Sequence, residues 1–530
     1  MSTSGRADSI WAPLRIGIFR ALWLAVLVSN IGSWMQTVGA QWLLVSQPHA
    51  SILVALVQTA DTLPDVLFAY VGGVLADTFD RRLLLIVVQG CLVIMGLALT
   101  ILTIAGQMPP ALLLTLTFLL GAGSAFSVPA YQATIPDLVP RSQLPSASAL
   151  SSINVNLARA VGPAIAGVVI AQAGVGAVFA LNTATFLIFG LVVAAWHPPA
   201  GTTAQFPERF IPALRAGGRY VRYAPVVRRI LVRSALFLVP ASALWALLPL
   251  VASQRLGLGA NGYGLLLGAL GAGAVAGVFI LPRLRAKLSS NVMLLAASIV
   301  YAAALVALVL VPNAVVILVV LVPTGIAWIV VLSSMNVAMQ LFLPAWVRAR
   351  GLSVYQMVLF GSQAGGAVIW GVIAGPAGLV ATFLIAAAVM AAGIATIRLW
   401  PLLDTKGIDR SLAVYWPEPP LVIEPDQEAG PVLVTTTYIV VPENEQPFLH
   451  AMSWVRRSRL RTGAVEWGLY RDGETAHRFV EFFVVPSWEE HLRQHNDRLT
   501  GADRQYEEQA DALSDPPPQT VHLIAADVQD

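Results

Sequence analysis

The chain has 530 residues, 57% of them hydrophobic and only 12% charged, with a formal net charge of +3. A soluble domain is nearer one quarter charged, so this composition excludes a chain that is soluble throughout, and so small a net charge gives no footprint for nucleic acid. Mean hydropathy is +0.73, and more than half of the charged residues lie after position 400, which separates a lipid-soluble first part from a water-soluble tail.

About 20 apolar residues cross a bilayer. That length predicts twelve spans, at 18–45, 51–75, 83–105, 111–134, 151–173, 176–196, 231–252, 262–281, 291–311, 314–341, 352–374 and 378–399. The first run is too long for a removable leader and lacks a small-residue cleavage site. Basic residues fix the orientation. With the N-terminus inside, Arg81, Arg82, Arg141, Arg283, Arg285, Lys287, Arg348 and Arg350 all fall on the cytoplasmic side, and only Arg255 falls outside. Both termini are therefore expected in the cytoplasm of a multi-pass plasma-membrane protein. The single cysteine, Cys91, lies in an apolar run, so no disulfide forms within the chain.

Two local matches point to a duplication. Gly73 followed by Arg81-Arg82 is echoed by Gly277 followed by Arg283 and Arg285, 204 residues on. Pro136 to Arg141 is echoed by Pro344 to Arg348, 208 residues on. Parallel repeats of this kind build large secondary transporters. The expected domains are a first six-helix half over 1–196, a linker over 197–230, a second half over 231–400, a second linker over 401–430 and a soluble domain over 431–530. The stretch 209–229 mixes Arg with apolar residues and is expected to lie on the inner leaflet against lipid phosphates.

Ionisable groups within spans are costly and are functional candidates by default. Asp61 and Asp65 sit four apart, on one face of the second span. Two carboxylates so close in low dielectric resist carrying two charges at once, which suits a proton carrier. Arg159, about two turns into the fifth span, is the one basic residue placed away from a span edge; a pair between it and an Asp that only holds helices together is the other reading. Asn30, Trp34, Thr37 and Gln41 form a polar stripe on the first span and are candidate cavity residues, as are Asn336, Gln340, Gln356 and Gln363 in the tenth and eleventh. Such a stripe must face protein or water, and interhelical packing is the plainer account of it.

After Trp400 hydropathy collapses. Residues 404–430 are rich in Pro and Glu and read as linker. Strands are expected in 432–441, 464–472 and 477–485, a basic helix over 447–461 and one long helix over 487–513. His450, His477, His491, His495, Trp467 and Trp488 are candidate pocket residues. His491 and His495 are expected on a solvated helix face, with no third ligand spaced for zinc. Neither a metal nor a cofactor is expected.

The segment GGVLADTFDRR at 72–82 resembles the loop signature of the major facilitator superfamily, on Gly73, Asp77, Arg81 and Arg82. Thr78 and Asp80 depart from it, so the charge relay that the loop forms in relatives is expected to be altered here. Arg159 to Gly167, with Gly162, Pro163 and Gly167, is similar to the fifth-helix motif of exporters, but has Ala166 where Gly is usual. SNIGSWMQTVGAQWLL, the run from FSVPAYQ to AVGPAIAG, and LPAWVRARGLSVYQ resemble the transmembrane secretion effector branch, which includes enterobactin-exporter-like and macrolide-efflux-like carriers. The order of elements in the tail resembles the ferredoxin-like domain of antibiotic-biosynthesis-type monooxygenases.

The resemblance implies an all-α membrane bundle of the major facilitator fold with a small α+β ferredoxin-like domain. It implies export of a small organic molecule against proton entry, with no catalytic residue. The tail is expected to dimerise or to dock on the bundle. A membrane-tethered enzyme and an importer of the same fold remain the alternatives. No Gly-Lys-Ser/Thr phosphate loop follows a strand, so ATP drive within the chain is not expected.

Overall fold

The computed structural model describes residues 11–196, 218–397, 399–402, 413, 426 and 429–526, without the side chains at 69, 70, 73, 74, 76–78, 345 and 349. The first nine residues, 209–217, of the interfacial stretch expected over 209–229 and most of the 404–430 linker lie outside these residues. So do the side chains of Gly73 and Asp77.

Among the described residues, ten helices are long and apolar enough to cross a membrane. They are α1 Gly17–Leu44, α2 Ala50–Thr78, α3 Arg81–Ile104, α4 Pro110–Leu138, α5 Leu144–Ala195, α6 Pro225–Leu250, α7 Ala260–Lys287, α8 Ser290–Leu310, α9 Ala314–Phe342 and α10 Ala345–Ala395. Two of them are double. α5, of 52 residues, breaks at Gly174 (φ 83°), and α10, of 51 residues, breaks at Gly378 (φ 76°). A side chain strains positive φ, so glycine is the residue that turns the chain there without a loop. Each break separates two spans, which gives the twelve expected. The two breaks lie 204 residues apart, as the first sequence repeat does.

Apolar side chains cover the outside of the bundle. Ile94, Ile101, Ile104, Phe279 and Val319 are all more than half exposed. Helices apolar on the outer face as well as the inner suit lipid rather than water.

Contacts divide the chain into two units. The first is Met1–Pro207, Val232–Asn336 and Gln356–Pro401; the second is Glu208–Leu231, Val337–Tyr355 and Leu402–Asp530. The tail in the second unit folds as β1 Val432–Ile439, α11 Glu445–Thr462, β2 Glu466–Arg471, β3 Arg478–Val485, α12 Trp488–Arg493, α13 Gly501–Asp511 and β4 Gln519–Ile524. Strand order is β2-β3-β1-β4, all antiparallel. This is the βαββαβ arrangement of ferredoxin-like domains.

The single helix expected over 487–513 is two. The Thr500 hydroxyl accepts from the third residue of α13, and the Asp503 carboxylate accepts from the Thr500 backbone N–H at 3.0 Å. That capping box starts a new helix. β4 escaped the sequence reading altogether. Under the sheet, Arg459 is buried between Glu481 (3.4 Å) and Glu507 (2.6 Å), and Glu481 also accepts from the Trp467 indole at 2.8 Å.

Candidate functional site

Call the two ends of the bundle by residues that sit in their loops. The Asp80 end holds the α2–α3, α4–α5, α7–α8 and α9–α10 connections; the His49 end holds the α1–α2 loop and the turns at Gly174 and Gly378. Among the described residues, close approaches between the two six-helix halves are found toward the His49 end. A Cβ on Gly264 of α7 would stand 2.6 Å from the Pro163 carbonyl oxygen and 3.0 Å from the Gly167 Cα of α5. A Cβ on Gly371 of α10 would stand 2.5 Å from the Ala55 Cβ of α2. Thr59 donates to the Ala364 carbonyl at 3.0 Å. The approaches at Gly264 and Gly371 bring helix backbones within a distance that only small residues permit. Gly167 of the exporter-like motif therefore seats one half on the other, while Gly162 lets α5 meet Trp34 and the Ile31 carbonyl of α1. Gln41 belongs to the same closure: its amide donates to the Trp245 carbonyl at 3.3 Å and accepts from the Tyr263 hydroxyl.

On the Asp80 side of that closure lies a cavity of about 300 Å³, lined by α1 to α5. Asn30 and Trp34 face it from α1, with Thr37 deeper; Asp61 and Asp65 face it from α2. α2 carries Pro64 between the two carboxylates, and α4 passes close by because Gly121 has no side chain: a Cβ there would meet the Asp61 carbonyl at 2.8 Å and the Pro64 ring at 3.0 Å. Asn30 donates to Asn154 at 2.8 Å, and Asn154 donates to the Trp23 carbonyl at 2.9 Å, tying α1 to α5. Thr37 spends its hydroxyl on the Ser33 carbonyl of its own helix. Among the described residues, the lining contains two carboxylates and no lysine or arginine.

Arg159 does not line the cavity. Among the described residues it forms no ion pair; its guanidinium lies 5.5 Å over the Trp34 ring, and its Nε has no hydrogen-bond partner. It thus holds Trp34, whose other neighbour is Trp245 at 5.9 Å, rather than offsetting Asp61 or Asp65. Asn336, Gln340, Gln356 and Gln363 also lie outside this cavity, so the first six spans alone supply its polar wall.

Residues missed from sequence complete the wall. Gln89 donates to Ser127 at 3.2 Å, and among the described residues its carbonyl oxygen and the buried Tyr131 hydroxyl have no hydrogen-bond partner. A lone Gln or Tyr in an apolar run was the available signal. Phe186 and Phe189 supply apolar area. At the Asp80 end, Arg81 donates to the Ala133 carbonyl (2.8 Å) and to Asp137 (3.0 Å), and Arg82 to the Ala194 carbonyl (2.6 Å). Asp80, where the family signature has Gly, caps α3 by accepting from the Leu83 N–H at 2.7 Å.

In the tail, His491 and His495 are not on a solvated face; they are 1% and 9% exposed. His522 of β4 joins them, its ring 4.9 Å from His491. His450 and His477 take no part in this cluster.

The family model described as transmembrane secretion effector matches residues 8–530. Over 280 residues the chain is 23% identical to the Staphyloferrin A transporter of Staphylococcus aureus, covering 53% of this chain and 70% of that one. It is 25% identical to Macrolide efflux protein A of Streptococcus pyogenes over 44% of this chain and 58% of the relative. It is 29% identical to the Enterobactin exporter EntS of Shigella boydii over 44% and 56%. The chain thus spans little more than half the length of these last two relatives. Among solved structures it is similar to a bacterial homologue of the human lysosomal transporter Spinster, inward-facing and unoccupied, with a TM-score of 0.55, 17% identity, and coverage of 73% of this chain and 95% of that one. It is also similar to the nucleoside transporter NupG, with a TM-score of 0.55, 13% identity, and coverage of 73% and 100%.

Proposed function

The chain belongs to the transmembrane secretion effector family of major facilitator transporters, and from that premise we propose that it is a secondary exporter of the bacterial plasma membrane, carrying a small amphipathic organic molecule outward in exchange for protons. The observation that carries this reading is the cavity in which Asp61 and Asp65 face one space, with no basic residue among the described residues of its lining. Two neighbouring carboxylates in low dielectric repel when both are charged. A proton or a cationic group on the cargo relieves that repulsion, so each can displace the other, which is the linkage an antiporter needs.

Basic-residue asymmetry supports placing the Asp80 end, and both termini, in the cytoplasm. Helix contacts that close the His49 end then leave the cavity on the cytoplasmic side, where an exporter loads. Trp34, Phe186 and Phe189 suit an apolar body, and the free Gln89 carbonyl and Tyr131 hydroxyl suit a cargo with polar groups of its own. Relatives named for a siderophore and for macrolides support a drug-like or siderophore-like cargo. Arg81 with Asp137 braces the Asp80 end of α3 against α4, the work we assign to the loop motif.

The test is uptake of a compound panel into inverted vesicles under an imposed pH gradient. Wild-type protein is expected to accumulate cargo only with the gradient. The Asp61→Asn, Asp65→Asn double variant is expected to bind cargo without responding to the gradient. Wild-type rate and gradient response in that double variant would end the proposal.

A further inference from the structure

The second unit holds another cavity, of about 240 Å³, bounded by Tyr220, Val226 and Phe342 on one side and by Trp454, Arg457 and Tyr506 of the tail on the other. Three guanidinium groups reach it, and they are not equivalent. Arg461 is bonded to Asp503. Arg498 makes two bonds to Glu490, at 2.8 and 3.0 Å. Arg457 has no carboxylate partner among the described residues. Its guanidinium lies 4.6 Å over the Trp454 ring, which is stacked on Tyr506 with centroids 5.3 Å apart and planes at 19°.

Positive charge is therefore answered at two of the three arginines and left open at the third, beside a flat aromatic wall. A guanidinium is a planar fork that meets a carboxylate with two parallel hydrogen bonds. The Trp and Tyr rings favour an aromatic body packed against them, offset-parallel or edge to face. The volume is below the roughly 300–1,000 Å³ typical of ligand pockets, so one or two rings fill it. We propose that this cavity is a binding site for a small aromatic carboxylate, separate from the transport cavity, with Arg457 taking the acid and Trp454 and Tyr506 taking the ring. Val226 lies in the first turn of α6 and Phe342 is the last residue of α9, so an occupant touches the ends of two spans. The proposal does not depend on the direction or cargo of transport.

The experiment is equilibrium binding of labelled naphthoate to the purified full chain in detergent. Wild-type protein is expected to bind it saturably, and the neutral analogue naphthylmethanol is expected not to compete. Arg457→Gln should weaken binding about tenfold or more, the loss expected when a charge-assisted hydrogen bond goes. Arg457→Lys should recover part of it, since a point charge keeps the attraction but not the fork. Trp454→Leu, which keeps the charge, should weaken binding too. Absence of saturable binding, equal affinity in Arg457→Gln, or competition by naphthylmethanol as good as by naphthoate would each overturn the proposal.

Discussion

Mild acid should destabilise the tail, through three histidines. His491 on α12, His495 in the turn after it and His522 on β4 pack ring on ring, with His491 4.4 Å from His495 and 5.1 Å from Trp488. Burial pushes His491 down to about 3, and the positive charge of His522 and Arg459 adds to it. Burial pushes His495 down to about 2, helped by His491, Arg459 and His522. His522 is lowered by burial and then by Arg459. The unfolded chain takes these protons near 6.5, whereas the folded chain refuses them, so stability is lost as pH falls below 6.5. Each pH unit is worth about 1.4 kcal/mol per proton. Between pH 7 and 5 that makes about 2 kcal/mol for each fully buried ring, or about 4 kcal/mol for His491 and His495 together. Asp511 acts the other way in this window. Burial of its carboxyl pushes it up to about 6, so the folded state binds its proton first. The residue is exposed at the surface, and solvent screening keeps its contribution the smaller one. A domain of this size has roughly 5–15 kcal/mol in all, so the shift is large. Urea unfolding of the tail excised at Ala429, followed by circular dichroism at both pH values, measures it. The His491→Leu, His495→Leu variant should flatten the dependence. Equal unfolding free energies at pH 7 and pH 5, to within about 1 kcal/mol, would refute the reasoning.

Two further outcomes follow from the bundle. Gly264→Ala forces a Cβ to 2.6 Å from the Pro163 carbonyl oxygen and should cost about 1–3 kcal/mol by overpacking, seen as a lower thermal midpoint in detergent. Gly365→Ala, where a Cβ meets nothing within 4 Å, should leave the midpoint unchanged or raise it. Reporter fusions at Gln107 and Ala260 should read outside, and those at Ser142 and Gly430 inside; the reverse pattern would remove the assigned orientation.

The sequence by itself determined the architecture. Apolar length fixes a span locally, because an unsatisfied backbone cannot enter lipid, and so Gly17–Leu44 or Ser290–Leu310 needed no tertiary information. Alternation fixed β1 and β3 in the same way, through one buried face. The pairing of Asp61 with Asp65 across one helical turn was equally legible. Tertiary structure decided what those residues meet. Arg159 looks like the natural partner of the carboxylates because it is the one basic residue placed away from a span edge; the packing of α5 on α1 instead sets it over Trp34. His491 and His495 read as solvated because helical spacing shows which residues share a face but not what covers it. β4, too short and too polar to declare itself, brings His522 onto that face. Gly167 and Gly264 are ordinary helix glycines until two halves of the chain meet there, since a close approach is a property of both partners and neither sequence segment carries it alone.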